Sequence, residues 1–411
     1  MSACRSAPLL GLSCRIKSLY SLGIRRPLLV TVPRSHNGVP PVRKYQGQIQ
    51  RAKTPAHMPP ILPRQRPEFS DDRKGYQLHF IIGGFFLGFY LGYKNSRLVL
   101  NASRVEGEVG TSEILFQLFQ YQSCPFCCKV RAFLDYYGVP YQVYEVNPVT
   151  KGELRWCKKN KKVPLILAHE FSDEAITKSK NPLEMRDSST IISMLATVMH
   201  EKGGYADLRK VIRNYPVLES EEQGWLRKKI KQEIPNRYFI MYGENKADGT
   251  EAGRSEERKW RQWADDVMVH MISPNVYRTM PEAVQAFYQF AEWGNYDSAF
   301  GTWAKYVIIY VGASAMYVIG QRLRKKYKLK EDVRESLYDA ANEWTSGLDG
   351  KQFMGGDRPN LSDLAVYGVL RSMEGLDAFK DMCTNTKIGP WYEATKAAVD
   401  SHAGKSQNSM R

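Results

Sequence analysis

Paired cysteine is what this chain has least of. Seven cysteines in 411 residues include one close group, Cys124, Cys127 and Cys128, with no second C-x-x-C and no H-x-x-H anywhere. That excludes a disulfide-stapled scaffold and fits a reducing compartment around the folded body. Histidine is equally sparse, and none of the seven lies within forty residues of the cysteine group. A structural zinc site, the bland use of C-x-x-C, therefore lacks its other half. Acid is missing from the first 67 residues, which hold twelve Lys/Arg and no Asp or Glu. Of the net +16, that leader accounts for twelve and leaves +4 for the rest, so the body gives no reason to expect nucleic acid as a partner.

What remains is an ordinary globular composition, 43% apolar and 25% charged, with length for two or three domains. Residues 1–70 carry Arg and Ser, apolar pieces such as Leu28-Leu29-Val30, and a proline-rich run through Pro59, Pro60, Pro63 and Pro67. This is the composition of a transit leader, mitochondrial in character, with an extended linker; a disordered basic tail is the alternative. Residues 76–93 bear no formal charge and are flanked by Arg73-Lys74 and by Lys94 and Arg97. As a helix this stretch reaches about 27 Å, close to the roughly 30 Å of a hydrocarbon layer. Gly84, Gly88 and Gly92 line one stripe, so a single membrane anchor is expected, of unreadable orientation.

The stretch Ile114 to Cys128 reads as a strand running into a helix with a reactive thiol at the junction. Pro125 suits a first helical position, and Val130, Phe133, Leu134 and Tyr137 share a face. A thiol at a helix N-terminus meets unpaired N–H groups and the positive end of the dipole, which favour thiolate. Cys124 is the candidate nucleophile, Cys127 a turn on can resolve an adduct, and Cys128 is read as packing.

Tyr141 to Val146 alternates like a second strand, and Thr150 to Lys159 is expected to be helical. Lys158, Lys159, Lys161 and Lys162 then lead into Val163-Pro164-Leu165-Ile166-Leu167. This β-α-β-α order, with Val-Pro before a strand, suggests a thioredoxin arrangement over 112–199, in which Pro164 is cis and Val163 offers its backbone to a peptide-like thiol. Asp187, with Ser188 and Ser189, caps the helix Thr190 to Val198 and leaves donors that suit a carboxylate. His169 to Pro182 is read as a surface loop.

Residues 200–254 read as a polar connector and 255–400 as all helical, with a capping box at Asn360-Leu361-Ser362-Asp363. Tyr306 to Gly320 is apolar but short of a full span, so it is expected to be a buried central helix followed by an exposed basic run, Arg322 to Lys328. A disordered tail is expected over 401–411.

The segments YQSCPFCCKVRAFLDYYGVPYQVYEVNP, KKVP, DSST, KWRQWADD, ISPNVYRT and FMGGDRPNLSDLAVYGVLRSMEGLDAF, in this order, resemble the membrane-associated type-2 prostaglandin E synthase family over about residues 70–400. The resemblance implies a glutaredoxin-type thioredoxin-like α/β domain, an all-α glutathione transferase C-terminal-like domain and an N-terminal anchor. It implies isomerisation of the lipid endoperoxide prostaglandin H2 to prostaglandin E2 by Cys124, with Tyr121 and Phe126 beside the thiol. Glutathione contacts carry over to Val163, Pro164, Asp187 and Ser188. Haem binding and a homodimer are further family expectations, as is a Golgi membrane with a cytosolic catalytic domain in place of the mitochondrion. Two other readings stay open: a glutathione-dependent disulfide oxidoreductase or transferase, and a tethered scaffold with a redox-active cysteine pair.

Overall fold

The computed structural model describes residues 114–148, 151–157, 161–170, 182–223, 228–241, 250–294, 296–297 and 302–408. The leader and the expected anchor at 76–93 lie outside them. The first described element is strand β1 (Ile114–Gln120), whose side chains meet apolar neighbours on both faces. Ile114, Phe116 and Leu118 enter the main core with Phe133, Ile191 and Leu195, while Phe119 joins a smaller cluster of Val146, Leu154, Leu165 and Leu167. A strand buried on both faces reads as an apolar run with little alternation, as this one does.

Helix α1 (Pro125–Tyr136) follows, and Gly138 at φ +59° takes the left-handed position that ends it. Strand β2 (Tyr141–Glu145) pairs parallel with β1, while β3 (Leu165–Glu170) and β4 (Leu183–Arg186) add antiparallel neighbours, giving the order β2-β1-β3-β4. Helix α2 (Ser188–His200) completes a thioredoxin-like unit. The helix expected at Thr150 to Lys159 is only a 3-10 turn at Gly152–Leu154 among the described residues, and His169 and Glu170 belong to β3 where a loop was expected.

The stretch read as a polar connector holds structure of its own: helix α3 (Tyr205–Ile212), then a hairpin of β5 (Leu218–Gln223) and β6 (Lys228–Glu233). Its strands are charge-rich, which hid them from a pattern search that looks for apolar alternation.

The helical half begins with α4 (Glu251–Trp263), which passes through a π-helical turn at Ala264–Met268 into α5 (Val269–Val276). Helices α6 (Met280–Trp293), α7 (Thr302–Lys326), α8 (Val333–Gly347), α9 (Leu361–Arg371), α10 (Asp377–Asn385) and α11 (Ile388–Asp400) follow. The capping box at α9 forms: Asn360 Oδ1 accepts from the Ser362 N–H at 2.9 Å, and Asp363 Oδ2 accepts from the Asn360 N–H at 3.0 Å. Helix α9 lies against α1 so closely that a Cβ on Gly368 would come within 2.5 Å of the Lys129 Cα, a contact that requires glycine.

Two expectations are corrected here. Helix α7 is no buried centrepiece: Trp303 is 73% exposed, with Tyr306, Tyr310, Val311, Val318 and Ile319 also outward. Its inner side packs through Ile309 and Ala313, and Phe287 of α6 fills the space above Gly312. The sequence pattern is apolar all round, which says that the helix wants covering but not by what. The tail is likewise ordered as far as the described residues go. The Gly404 N–H donates to the Tyr136 carbonyl at 3.0 Å, and His402 Nδ1 meets the Asp135 carbonyl, so residues 401–408 clasp the far end of α1.

Candidate active site

Strand register brings the site together. Phe119 pairs with Leu165 and Leu165 with Arg186, so Tyr121, Val163 and Asp187 all leave the sheet at the end where β1 turns into α1. The Val163–Pro164 peptide is cis, as the thioredoxin arrangement implies. Cys124 is the N-cap residue of α1 and Pro125 its first helical residue. The Cys124 N–H donates to the Tyr121 carbonyl at 3.1 Å, closing the turn that presents the sulfur.

Cys124 is half-buried, whereas Cys127 is fully enclosed. The Cys127 thiol donates to the Cys124 sulfur, and this contact is the first cause holding the Cys124 thiol below its ordinary value. The backbone N–H groups of Cys127 and Phe126 and the charge of Arg131 add to it, against the opposing effect of burial. Burial drives Cys127 the other way, well above the ordinary thiol range, and donating to Cys124 reinforces that. Cys127 in turn accepts from the Tyr121 N–H, so a chain of donors runs from the backbone of Tyr121 through one thiol to the other. The pair thus divides into a thiol that ionises more easily than an ordinary one and a thiol that holds its proton, the pattern of a nucleophile with a built-in hydrogen-bond donor.

Burial, and then the neighbouring thiols, push the Tyr121 hydroxyl up to about 12, so it stays a donor. Phe126 is 38% exposed beside the sulfur. Asp187 sits at φ +67° and caps α2, its Oδ1 accepting from the Thr190 N–H at 3.0 Å and the Thr190 hydroxyl at 2.9 Å. Ser188 is buried at the first position of that helix.

Several residues here escaped the reading of the sequence. Arg237, from the stretch taken as connector, stands 3.5 Å from Asp187. Tyr277 of α5 carries a hydroxyl raised by burial and by the fields of Tyr296 and Cys124, which places the helical half beside the thiol. Beneath the site, Lys129 is completely buried and paired with Asp265, which also accepts from the Ser189 hydroxyl at 2.6 Å and the Tyr238 hydroxyl at 3.0 Å. The quoted segments were the available signals: KWRQWADD contains Asp265, ISPNVYRT contains Tyr277 and the first of them contains Lys129.

For haem, expected from the resemblance, the donor at the cleft is the Cys124 sulfur rather than an imidazole. Among the described residues His169 faces Leu115 at the opposite end of the sheet, His200 ends α2 at the far end from Ser188, His270 stacks on Tyr327 and His402 is held at the Asp135 carbonyl. No nitrogen ligand meets the cleft at Cys124, and no step below passes through haem.

Comparison with known proteins agrees with this geometry. A glutaredoxin family model matches residues 116–169. The chain is 42% identical to prostaglandin E synthase 2 of Danio rerio over 78% of this chain and 80% of that protein. It is 43% identical to prostaglandin E synthase 2 of Mus musculus over 73% of this chain and 75% of that one. Among solved structures, glutathione transferase F7 from Populus trichocarpa overlaps 71% of this chain and 99% of its own at 12% identity and a TM-score of 0.38, too loose to bear on chemistry.

Proposed function

The chain belongs to the prostaglandin E synthase 2 family, and on that premise we infer that it isomerises prostaglandin H2 to prostaglandin E2. The observation that carries the reading is the Cys124 sulfur at the head of α1, whose ionisation the Cys127 thiol favours. The thiolate attacks the endoperoxide oxygen on C9, forming S–O as O–O breaks, and the oxygen on C11 leaves as an alkoxide that takes up a proton. Loss of the C9 proton then drives its electron pair into a C9 carbonyl and expels the thiolate. Bonds and charges return to their starting tally, so no reductant is consumed. Tyr121, kept protonated, is suited to donate a hydrogen bond to the departing oxygen, and the exposed ring of Phe126 to hold the lipid chain.

Glutathione is our proposed thiol cofactor. The backbone of Val163 before cis Pro164, and Asp187 with Ser188 at the start of α2, lie at the thiol end of the sheet, where a γ-glutamyl peptide would find a strand edge and a helix N-terminus. The helical half is proposed to be glutathione transferase-like in descent. A homodimer is proposed as the working assembly, supported by the uncovered apolar side of α7. The mitochondrial leader and the membrane anchor at 76–93 are proposed from composition alone.

The test is production of prostaglandin E2 from prostaglandin H2 by the purified chain, wild type against Cys124→Ser, with and without glutathione. Conversion by wild type alone supports the reading, and equal conversion by both sinks it. Glutathione-dependent disulfide reduction is the second reading, favoured by the direct contact of the two thiols. It is separated by offering a glutathione mixed disulfide to the same two proteins.

A further inference from the structure

We propose that Arg131 is a positioning residue of the reaction, clamping from within the domain the turn that presents Cys124 and setting a fixed positive charge beneath that sulfur. The inference deepens the isomerase reading, since it takes Cys124 as the nucleophile.

Arg131 follows Cys124 by seven residues on α1, two turns along the same face, and helical side chains lean back toward the N-terminus. Its guanidinium accordingly reaches the turn ahead of the helix. Nη2 donates to the Gln122 carbonyl at 3.0 Å and lies 3.0 Å from the Cys128 sulfur, and Nη1 donates to Gln120 Oε1 at 3.1 Å and to Gln122 Oε1. Glu145 of β2 takes the other side of that turn, accepting the Gln122 N–H at 2.6 Å and the Gln120 side-chain amide at 3.1 Å. Gln122 is thus gripped at its carbonyl, its N–H and its side chain, two residues before the nucleophile.

Neutral amide donors would suffice to tie down such a turn. A guanidinium only 6% exposed is a costly way to do it, and among the described residues this one forms no ion pair. Its partners are carbonyls, amides and a thiol, so its charge is not cancelled on contact. The sulfur that the guanidinium touches is that of Cys128, and its field also favours ionisation of the Cys124 sulfur. The other groups facing that sulfur are Cys127 and Cys128 of α1, Tyr121 of the turn and Tyr277 of α5, all neutral when protonated. Glu153 and Glu145 both act on Tyr121, Glu145 also interacts with the Arg131 charge, and burial raises the Glu145 carboxyl. Arg371 of α9 adds a second positive field at Cys128.

The experiment uses the full chain with Arg131→Gln, Arg131→Lys and Glu145→Gln. Alkylation of Cys124 by iodoacetamide is followed by peptide mass spectrometry between about pH 5 and pH 9, bracketing the usual range of activated thiols. In Arg131→Gln the titration should move up, slowing alkylation on the acid side of its midpoint. Arg131→Lys should titrate near wild type, and Glu145→Gln, which keeps an acceptor for Gln122, should move the titration down. An unshifted profile in folded Arg131→Gln overturns the proposal, as does an Arg131→Lys profile that matches Arg131→Gln. Should Arg131→Gln not fold, a profile in Glu145→Gln that is unmoved or raised overturns it instead. Failure of the isomerase reading looks different: wild type would make no prostaglandin E2 while its alkylation profile stayed as described.

Discussion

Cys127 directs its thiol proton at the Cys124 sulfur; that contact lowers Cys124, while burial, reinforced by the contact, raises Cys127. The pair therefore splits into donor and nucleophile, and substitutions at the two positions should not be equivalent. Cys124→Ser should abolish isomerisation. Cys127→Ser keeps a hydroxyl donor and should retain much of it, whereas Cys127→Ala loses a hydrogen bond to a charged group, about 1.5–3 kcal/mol, and should lower activity tenfold or more near pH 6. Equal loss in Cys124→Ser and Cys127→Ser would transfer the function to disulfide exchange, where the second thiol must resolve an adduct.

The same split sets a pH dependence for stability. Cys124 ionises more easily folded than unfolded, so its contribution is present above the ordinary thiol value of about 8.5 and is lost as pH falls through the lowered one. Cys127 is raised, so its contribution is present below that value and is lost as pH rises through the raised one. The melting temperature of Cys127→Ala should therefore fall less between about pH 8 and pH 10 than that of wild type, because the buried thiol that resists ionisation is gone. Parallel curves would contradict the split.

How much of this was legible in the sequence depended on what each residue touches. The strand and helix around Cys124, the Val163–Pro164 corner and the Asn360 cap announced themselves because their signals are local: a proline at a helix start, a polar residue ahead of an apolar stripe. Asp265 and Arg237 gave no such local sign, since each matters through a partner far away in the chain. Lys129 and Asp265 are 136 residues apart, and a buried lysine looks like any surface lysine until its partner is seen. The apolar run in α7 was misplaced for the opposite reason: its composition is plain, but composition does not say which side faces the protein.

Removing one member of the Lys129–Asp265 pair should be severe. Lys129 has no exposed side-chain surface, so Asp265→Ala strands a buried charge between the two halves of the fold. A loss of about 3–5 kcal/mol in urea unfolding is expected, against a smaller loss for Lys129→Met, which leaves Asp265 with two hydroxyl donors. Similar losses for the two would show that packing, not charge, dominates there.

Asp187 has two duties, and they separate by measurement. Asp187→Ala removes the cap on α2 and should cost about 0.5–2 kcal/mol. If the residue also holds glutathione, affinity measured calorimetrically on the folded variant should drop as well. Unchanged affinity removes Asp187 from that site.

The outward side of α7 offers a direct check on assembly. Val318→Asp places a charge among exposed apolar residues and should leave folding stability within about 0.5 kcal/mol. Light scattering should then report half the mass found for wild type. A dimer that persists in the variant locates the interface elsewhere.

The clasp of the chain's end on α1 has a consequence for biosynthesis. Asp135 meets His402 across 267 residues, so the thiol-bearing helix leaves the ribosome long before the segment that seals its far end exists. At about 5–20 residues per second, that interval is on the order of tens of seconds. Throughout it, the backbone of α1 against which Gly368 later packs is uncovered, with a nucleophilic cysteine at its head.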